Sequence, residues 1–511
     1  MKSKITLKLA LLVIILISIV SCSSVSKEDY VSLIPKDVTQ LISINCASVY
    51  EKADLDNPEN NKYKDEVKNT INKKVSGSAA TLFNSIIDDP SIAGIDLNAP
   101  IYMFLTGGEI LNPSLVAKMN DTALFEALIQ ELVNEEALKA TVEADGFKYS
   151  EFTQDNAALL YDDKSVLIVV EAGNKENSAI QIGTKLFEQS KPENIYDNEG
   201  FTKMLSFDGD IKLISSVKSL PKEINSQLKT LNSMSDIDIT NLNVIGSLRF
   251  DKGEVNLDIS YYTEDAELKN MLADLLKNTK ELNGNLLKMI PGDALAAIVY
   301  YVKGDAISKQ IEETKEFTKE FAKDPQTKED ILNFVKTING DFVFSPVYIN
   351  NMSDYSILAY AEIESNGADA LEAIYNNKKI NNKLFVKKDE NQYAYESRYI
   401  SIYFGIKDDL FYLTNKKNQE IGKTENPSIA STYKSYEDKY SYMMVNFGEV
   451  LDVVNKMGMT RQIPRKIRPV LNELKYLEAG NTTNGDANIK VILNNSDVNS
   501  LKFFLDLVKT L

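Results

Sequence analysis

The chain predicts an α+β fold made of two tandem homologous repeats, each an antiparallel sheet with helices packed on one face. Three observations lead there. Leu33-Ile34-Pro35-Lys36-Asp37-Val38, with the apolar run Leu41 to Ile44, recurs as Met289-Ile290-Pro291-Gly292-Asp293-Ala294 with Ala297 to Tyr300. The ends match too: Gly253 to Ile259, then Asp265 and a helical run to Lys277, parallels Gly485 to Val491, then Asp497 and a run to Lys509. Between these markers helices and strands follow one order in both halves, which is the mark of an internal repeat.

Each element has a local reason. A Pro turn leading into a short apolar run reads as a buried strand. Long amphipathic stretches follow, Tyr63 to Ile87 and Ala306 to Val335, then an Asp turn and a strand at Gly94-Ile95-Asp96 and Gly340-Asp341. A second helix comes next, Ala123 to Leu138 and Ala368 to Tyr375. Asp162-Asp163-Lys164 and Lys407-Asp408-Asp409 read as hairpin turns. The closing elements are an alternating strand and an Asp-capped helix. The predicted division is a signal segment at 1–21, a tether at 22–32, a first repeat at 33–285 and a second at 286–511. No Pro/Gly/Ser-rich linker separates the halves.

Composition narrows the chemistry. The 511 residues hold 57 Lys+Arg, 74 Asp+Glu, no His and no Trp. Without imidazole, Ser-His and Cys-His catalysis and His-ligated metals are excluded. A net charge of −17 argues against a nucleic-acid or anionic-membrane surface partner for the chain as a whole, since phosphate binding needs clustered cations. No nucleotide loop, nucleophile elbow or metalloprotease motif is present. Asp54-Leu55-Asp56-Asn57 begins like a calcium loop, but Pro58 and Glu59 fall where a ligand and the turn Gly belong. No metal or other cofactor is expected. Carboxylates alone could run glycoside hydrolysis, but 74 of them nominate no pair.

Lys2, Lys4 and Lys8 precede the apolar run Leu9 to Val20, which is too short to span a bilayer and reads as a secretory signal. Ile19-Val20-Ser21-Cys22 then resembles the lipobox of bacterial lipoprotein precursors, which implies acylation of Cys22 and a membrane anchor. Lys27-Glu28-Asp29 resembles a surface-export tag of some outer-membrane lipoproteins. Both a periplasm-facing and a surface-exposed protein fit. With Cys22 acylated, Cys46 has no disulfide partner, and its position opposite Val302 in the repeat makes it a core residue.

Tyr399, Ser401 and Tyr403 are expected on one strand face, opposite Ile400, Ile402 and Phe404, with Tyr393 and Tyr395 as a similar pair upstream. These four tyrosines are a candidate binding face for a glycan, a peptide or an envelope protein. Three of the five arginines, Arg461, Arg465 and Arg468, lie within eight residues and suggest an anion or lipid-headgroup contact.

Leu33-Ile34-Pro35-Lys36-Asp37, Asp89-Pro90, Gly94-Ile95-Asp96-Leu97 and Pro100-Ile101-Tyr102 together resemble an uncharacterised family of bacterial outer-membrane lipoproteins, a domain of unknown function. That resemblance implies no reaction and no catalytic residue. The expectation is therefore a non-enzymatic, lipid-anchored binding or scaffold module of the outer membrane, with an envelope protein or polysaccharide as partner. The alternatives are a carboxylate-based hydrolase of a surface polymer and a structural subunit of an outer-membrane assembly.

Overall fold

The computed structural model describes residues 28–510 apart from 73–76, 107–110, 173–177, 190–192, 220–238, 315–318, 320–323, 352–353, 378–384, 399, 424–426, 434 and 466. The signal segment and the lipobox lie outside the described residues. Two compact units emerge, one of residues up to 268 together with 497–510, the other of residues 269–496. The first division thus falls ahead of the 285/286 position read from the repeat. The chain's last stretch returns to the first unit.

In the first unit the strands are β1 (Gln40–Ile44), β2 (Ile101–Thr106), β3 (Asn112–Lys118), β4 (Val142–Glu143), β5 (Lys148–Glu151), β6 (Ala157–Tyr161), β7 (Ser165–Val170), β8 (Ile211–Ser216), β9 (Asn243–Asp251) and β10 (Glu254–Tyr262). They pair antiparallel throughout, in the order β4-β5-β6-β7-β3-β2-β1-β8-β9-β10. Strand alternation divides the apolar side chains between two faces. Leu41, Tyr102, Phe104, Val116, Leu160 and Val169 pack with Leu186, Phe201 and Met204 from the helices Ala179–Glu188 and Glu199–Ser206. Ile101, Leu115, Leu159 and Ile168 pack on the other side with Phe125, Ile129 and Leu132 of helix Thr122–Asn134. Both sheet faces are covered, which corrects the expectation of helices on one face only. The unbroken burial of β6 and β7 is the local sign of that arrangement.

The second unit contains β11 (Ala296–Lys303), β12 (Ile338–Asn351), β13 (Asp354–Ile363), β14 (Phe385–Asp389), β15 (Gln392–Glu396), β16 (Ser401–Lys407), β17 (Leu410–Thr414), β18 (Lys439–Asn446), β19 (Leu474–Thr482) and β20 (Ala487–Leu493). Its antiparallel order is β14-β15-β16-β17-β13-β12-β11-β18-β19-β20. Leu286 and Leu287 from the turn Leu286–Met289, with Ile429 from helix Ile429–Thr432, cover Val299, Val343 and Tyr360 on one face. On the other, Phe334 of helix Pro325–Lys336 meets Phe411, and Tyr375 of helix Gly367–Asn376 meets Tyr393. Asp408 and Asp409, both at positive φ (53° and 58°), form the two-residue turn between β16 and β17. That is the backbone a tight hairpin of this twist requires.

Local capping matches the sequence in part. Asp121 accepts from Leu124 N–H at 3.0 Å and opens helix Thr122–Asn134. Asp265 accepts from Glu267 and Leu268 amides at 2.9 and 3.1 Å. At the C-terminal helix Ser500–Thr510, Asn499 accepts from the first-turn amide of Leu501 at 2.9 Å. This helix joins the first unit through backbone and charge: Gly253 N–H donates to Val498 O at 2.9 Å, and Lys502 Nζ lies 2.8 Å from Asp54 Oδ2.

Candidate functional site

In the first unit the Pro35-Lys36-Asp37 turn forms one wall of a solvent-open cleft of about 500 Å³. Five chain segments, the turn included, converge on it. Lys36 N–H donates to Glu193 O at 2.7 Å, and Lys36 O accepts from Asn198 Nδ2 at 3.0 Å, so the turn is held at the entry of helix Glu199–Ser206. Ile214 and Ser216 come from β8, Thr240, Asn241 and Asn243 from the approach to β9, and Tyr262, Glu264 and Asp265 from the end of β10. Gly200 sits beneath the aromatic wall: a Cβ there would lie 3.0 Å from Tyr262 Cδ1, so the absence of a side chain lets the ring lie against the helix.

The lining is amide, hydroxyl and carboxylate around one half-buried ring. Of its three acids, Asp37, Glu264 and Asp265, the last two are committed to structure. Glu264 Oε1 accepts from Tyr262 OH at 2.8 Å, and Asp265 caps the following helix while accepting from Asn241 Nδ2 at 3.2 Å. The amides of Leu268 and then the Asn241 side chain hold the Asp265 carboxyl below the usual carboxylate range. Burial, with Glu264 beside it, pushes the Tyr262 hydroxyl well above its ordinary value. These groups stay fixed in charge near neutrality, and they offer hydrogen bonds of both senses beside an apolar ring. Such a surface suits a hydroxyl-rich ligand.

The site residues expected from the sequence are scattered. Cys22, Lys27 and Tyr399 lie outside the described residues. Glu28 and Asp29 are drawn onto the first unit: Lys118 Nζ is 3.5 Å from Glu28 Oε1, and Lys164 Nζ is 2.9 Å from Asp29 Oδ2. Tyr30 and Val31, read as tether, are buried, so the folded core begins inside that stretch. Tyr30 donates to Pro100 O at 2.8 Å.

The tyrosine face is corrected by register. Tyr393 pairs with Phe404, and Ala394 with Tyr403. Directly opposed residues share a face, so Tyr393 and Tyr395 project to one side of the sheet and Tyr403 to the other. Tyr393 is only 1% exposed and stacks among Phe385, Phe404 and Tyr375. It is a core residue, while Tyr395 is exposed. The four tyrosines therefore form no common platform.

Two other candidates resolve into structure. Cys46 is fully buried in the Ile101/Phe125 cluster, and burial pushes its thiol up to about 12. The calcium-like loop holds an ammonium group: Asp54 Oδ2 accepts from Lys502, Asn60 and Asn57. Among the described residues no cluster of acids, Cys or His fits a metal ion. Among the described residues, Asp341, beside Glu362 in the second unit, has the one carboxyl shifted upward. Asp341 Oδ2 accepts from the amides of Asn283 and Gly284 at 3.1 and 3.3 Å, and Glu362 accepts from Asn283 Nδ2 at 2.8 and 3.0 Å and from Asp341 N–H at 3.0 Å. Burial, reinforced by Glu362, pushes the Asp341 carboxyl up to about 6. The pair clamps the Asn283–Gly284 turn.

The cleft escaped sequence reading because Asn198, Asn243 and Tyr262 meet only through strand pairing. The one signal was the repeated Pro turn, read there as a structural marker.

Antiparallel sheets covered by helices on both faces place the chain among α+β proteins. It belongs to the family described as Domain of unknown function (DUF4836), whose model matches residues 30–501. No curated protein matches the chain. Among solved structures, crystal form I of TP0453 shares 12% identity at a TM-score of 0.26, covering 50% of this chain and 87% of that one. Crystal form IV of the same protein gives 10% identity and a TM-score of 0.27 over 46% and 81%. Overlap at that score is too slight to establish a shared fold.

Proposed function

We propose that the chain is a lipid-anchored cell-envelope protein, held at the outer membrane through acylated Cys22, that binds a hydroxyl-rich partner and does not turn it over. The observation carrying the binding half of this reading is that the two acids beside the Tyr262 ring are both engaged, Asp265 in a helix cap and Glu264 with the tyrosine hydroxyl, which leaves Asp37 as a single carboxylate on the opposite wall rather than a working pair. A hydrolase needs one carboxyl free to give up a proton and a second ionised across the scissile bond. An envelope polysaccharide fits the amide and hydroxyl lining beside Tyr262. The lipobox and the short apolar segment ahead of Cys22 support the anchor. The common strand order of the two units supports descent by duplication, with 286–511 repeating 33–285.

Crosslinking the protein in its native envelope and identifying what accompanies it tests the binding role. A partner recovered with the native chain and lost with Tyr262→Ala and Asn243→Ala would assign it to the cleft. Release of reducing ends from that polymer, abolished by Glu264→Gln, would establish the hydrolase instead. Cys22→Ala is expected to release the protein from the membrane fraction; unchanged partitioning would end the anchor reading. Protease shaving of intact cells decides between the periplasmic and outward orientations.

A further inference from the structure

In a chain with 74 acids, residues 453–472 contain none, yet they carry Lys456, Arg461, Arg465, Lys466 and Arg468. The same stretch holds Met457, Met459, Ile463, Ile467, Val470 and Leu471. It begins in the last turn of helix Phe447–Lys456, none of whose residues is buried, and runs through the short turn Met459–Gln462 into helix Arg468–Glu473, which also has no buried residue. Consecutive turns fix its shape. Ile463 N–H donates to Thr460 O at 3.2 Å, Ile467 N–H to Pro464 O at 3.0 Å, and Arg468 Nε to Ile463 O at 3.1 Å.

The result is a mixed basic and apolar surface. Arg461 and Arg465 are exposed, and Ile467 between them and Arg468 is 45% exposed. Among the described residues none of these three arginines has an ion-pair partner, whereas Lys456 is occupied by Asp452 at 2.6 Å. Guanidinium groups without ion-pair partners around the exposed Ile467 are what a headgroup layer matches: phosphate for the cations, the acyl boundary for the apolar side chain. A soluble polyanion would satisfy the charges and leave Ile467 in water.

We infer that this segment docks on the anionic phospholipid surface of a bilayer, with Arg461, Arg465 and Arg468 against lipid phosphates and Ile467 at the acyl boundary. The contact is separate from the acyl anchor and orients the second unit at the membrane.

The chain has no Trp, so Ile467→Trp supplies a single local reporter. The variant protein is purified from the envelope in detergent and reconstituted into phosphatidylcholine vesicles with or without phosphatidylglycerol. Expected are a blue shift of emission and quenching by brominated lipid that appear only with phosphatidylglycerol and fade at high salt. Replacing all three arginines with Gln is expected to abolish both signals, and replacing them with Lys to retain most of them. Unchanged thermal unfolding of each variant shows that the fold is intact. No shift on anionic vesicles overturns the inference, as does an equal shift on phosphatidylcholine alone. Inorganic phosphate or heparin reproducing the shift without lipid overturns it in favour of a soluble polyanion. Because the reporter reads depth at residue 467, the outcome is independent of whether Cys22 is acylated.

Discussion

The backbone amide of Ile195 donates to the carbonyl of Ile34 at 2.8 Å, and both side chains are completely buried in the same apolar cluster. Pro35, next in the chain, bridges Asn194. The second unit contains the same relationship: Ile429 N–H donates to Ile290 O at 2.9 Å, and Pro291 bridges Ser428. In each unit the Pro turn is stapled to a segment more than a hundred residues away, and in the first unit that staple builds the cleft wall.

Truncating either member of the first staple is expected to be costly. Ile34→Ala and Ile195→Ala should each lower unfolding stability by about 2–5 kcal/mol, from lost burial and an incompletely closed cavity. The double variant should lose less than the sum, because the two side chains share one cavity. Urea unfolding of the three variants measures both quantities; strict additivity would mean that the two sites act independently.

Gly94 is predicted to resist substitution. Its φ is +70°, its carbonyl accepts from the Asn120 and Asp121 amides at 2.9 and 3.0 Å, and an added Cβ would lie 2.4 Å from Asp121 O. The left-handed backbone alone costs a non-glycine residue about 1–3 kcal/mol, and the contact with backbone atoms adds to it. Gly94→Ala should therefore lower Tm sharply. Gly146→Ala, with open space around its Cβ, should register only the backbone strain.

The Asp341–Glu362 clamp predicts an unusual pH dependence. A carboxyl raised to about 6 in the folded state binds a proton that the unfolded chain releases near pH 4. Between these values the native state holds more protons, so stability falls as pH rises through that window. The contribution is on the order of 1–3 kcal/mol, fully present below pH 4 and gone above about 6. Asp341→Asn keeps an acceptor for the Asn283 and Gly284 amides and removes the charge. It should flatten this component of the pH profile and raise stability at neutral pH. Lower stability of the Asn variant at neutral pH would show that the ionised form is the one the turn requires.

Cys46 should be inert in the folded protein. Burial keeps the thiol protonated at neutral pH and blocks approach of a reagent. In a Cys22→Ala background it is the only thiol, and labelling by a disulfide reagent should appear only on denaturation. Rapid labelling of native protein would show that the cluster around Phe125 opens frequently.

Much of the fold was legible because it is written locally. Period-two alternation marks β10 and β20, the Asp408-Asp409 pair marks a hairpin, and Asp265 marks a helix start. The second covered sheet face was harder to read. In β6 and β7 both faces are apolar, which distinguishes a strand buried on two sides from one buried on a single side only when the partner helices are known. The tyrosine set failed for a related reason. Alternation within one strand assigns relative faces, but only the register of Tyr393 against Phe404 shows which tyrosines share a side across strands.

The sequence by itself determined the order of elements, the repeated Pro turns, the charge balance and the exclusion of imidazole chemistry, since these depend on residue type and near neighbours. Tertiary structure alone decided that Lys502 meets Asp54, that the last helix returns to the first unit, and that Lys36, Asn243 and Tyr262 share one cleft. Those outcomes rest on strand register and on the closure of long loops. The free energy of both comes from packing distant segments together, and no short window of sequence encodes it.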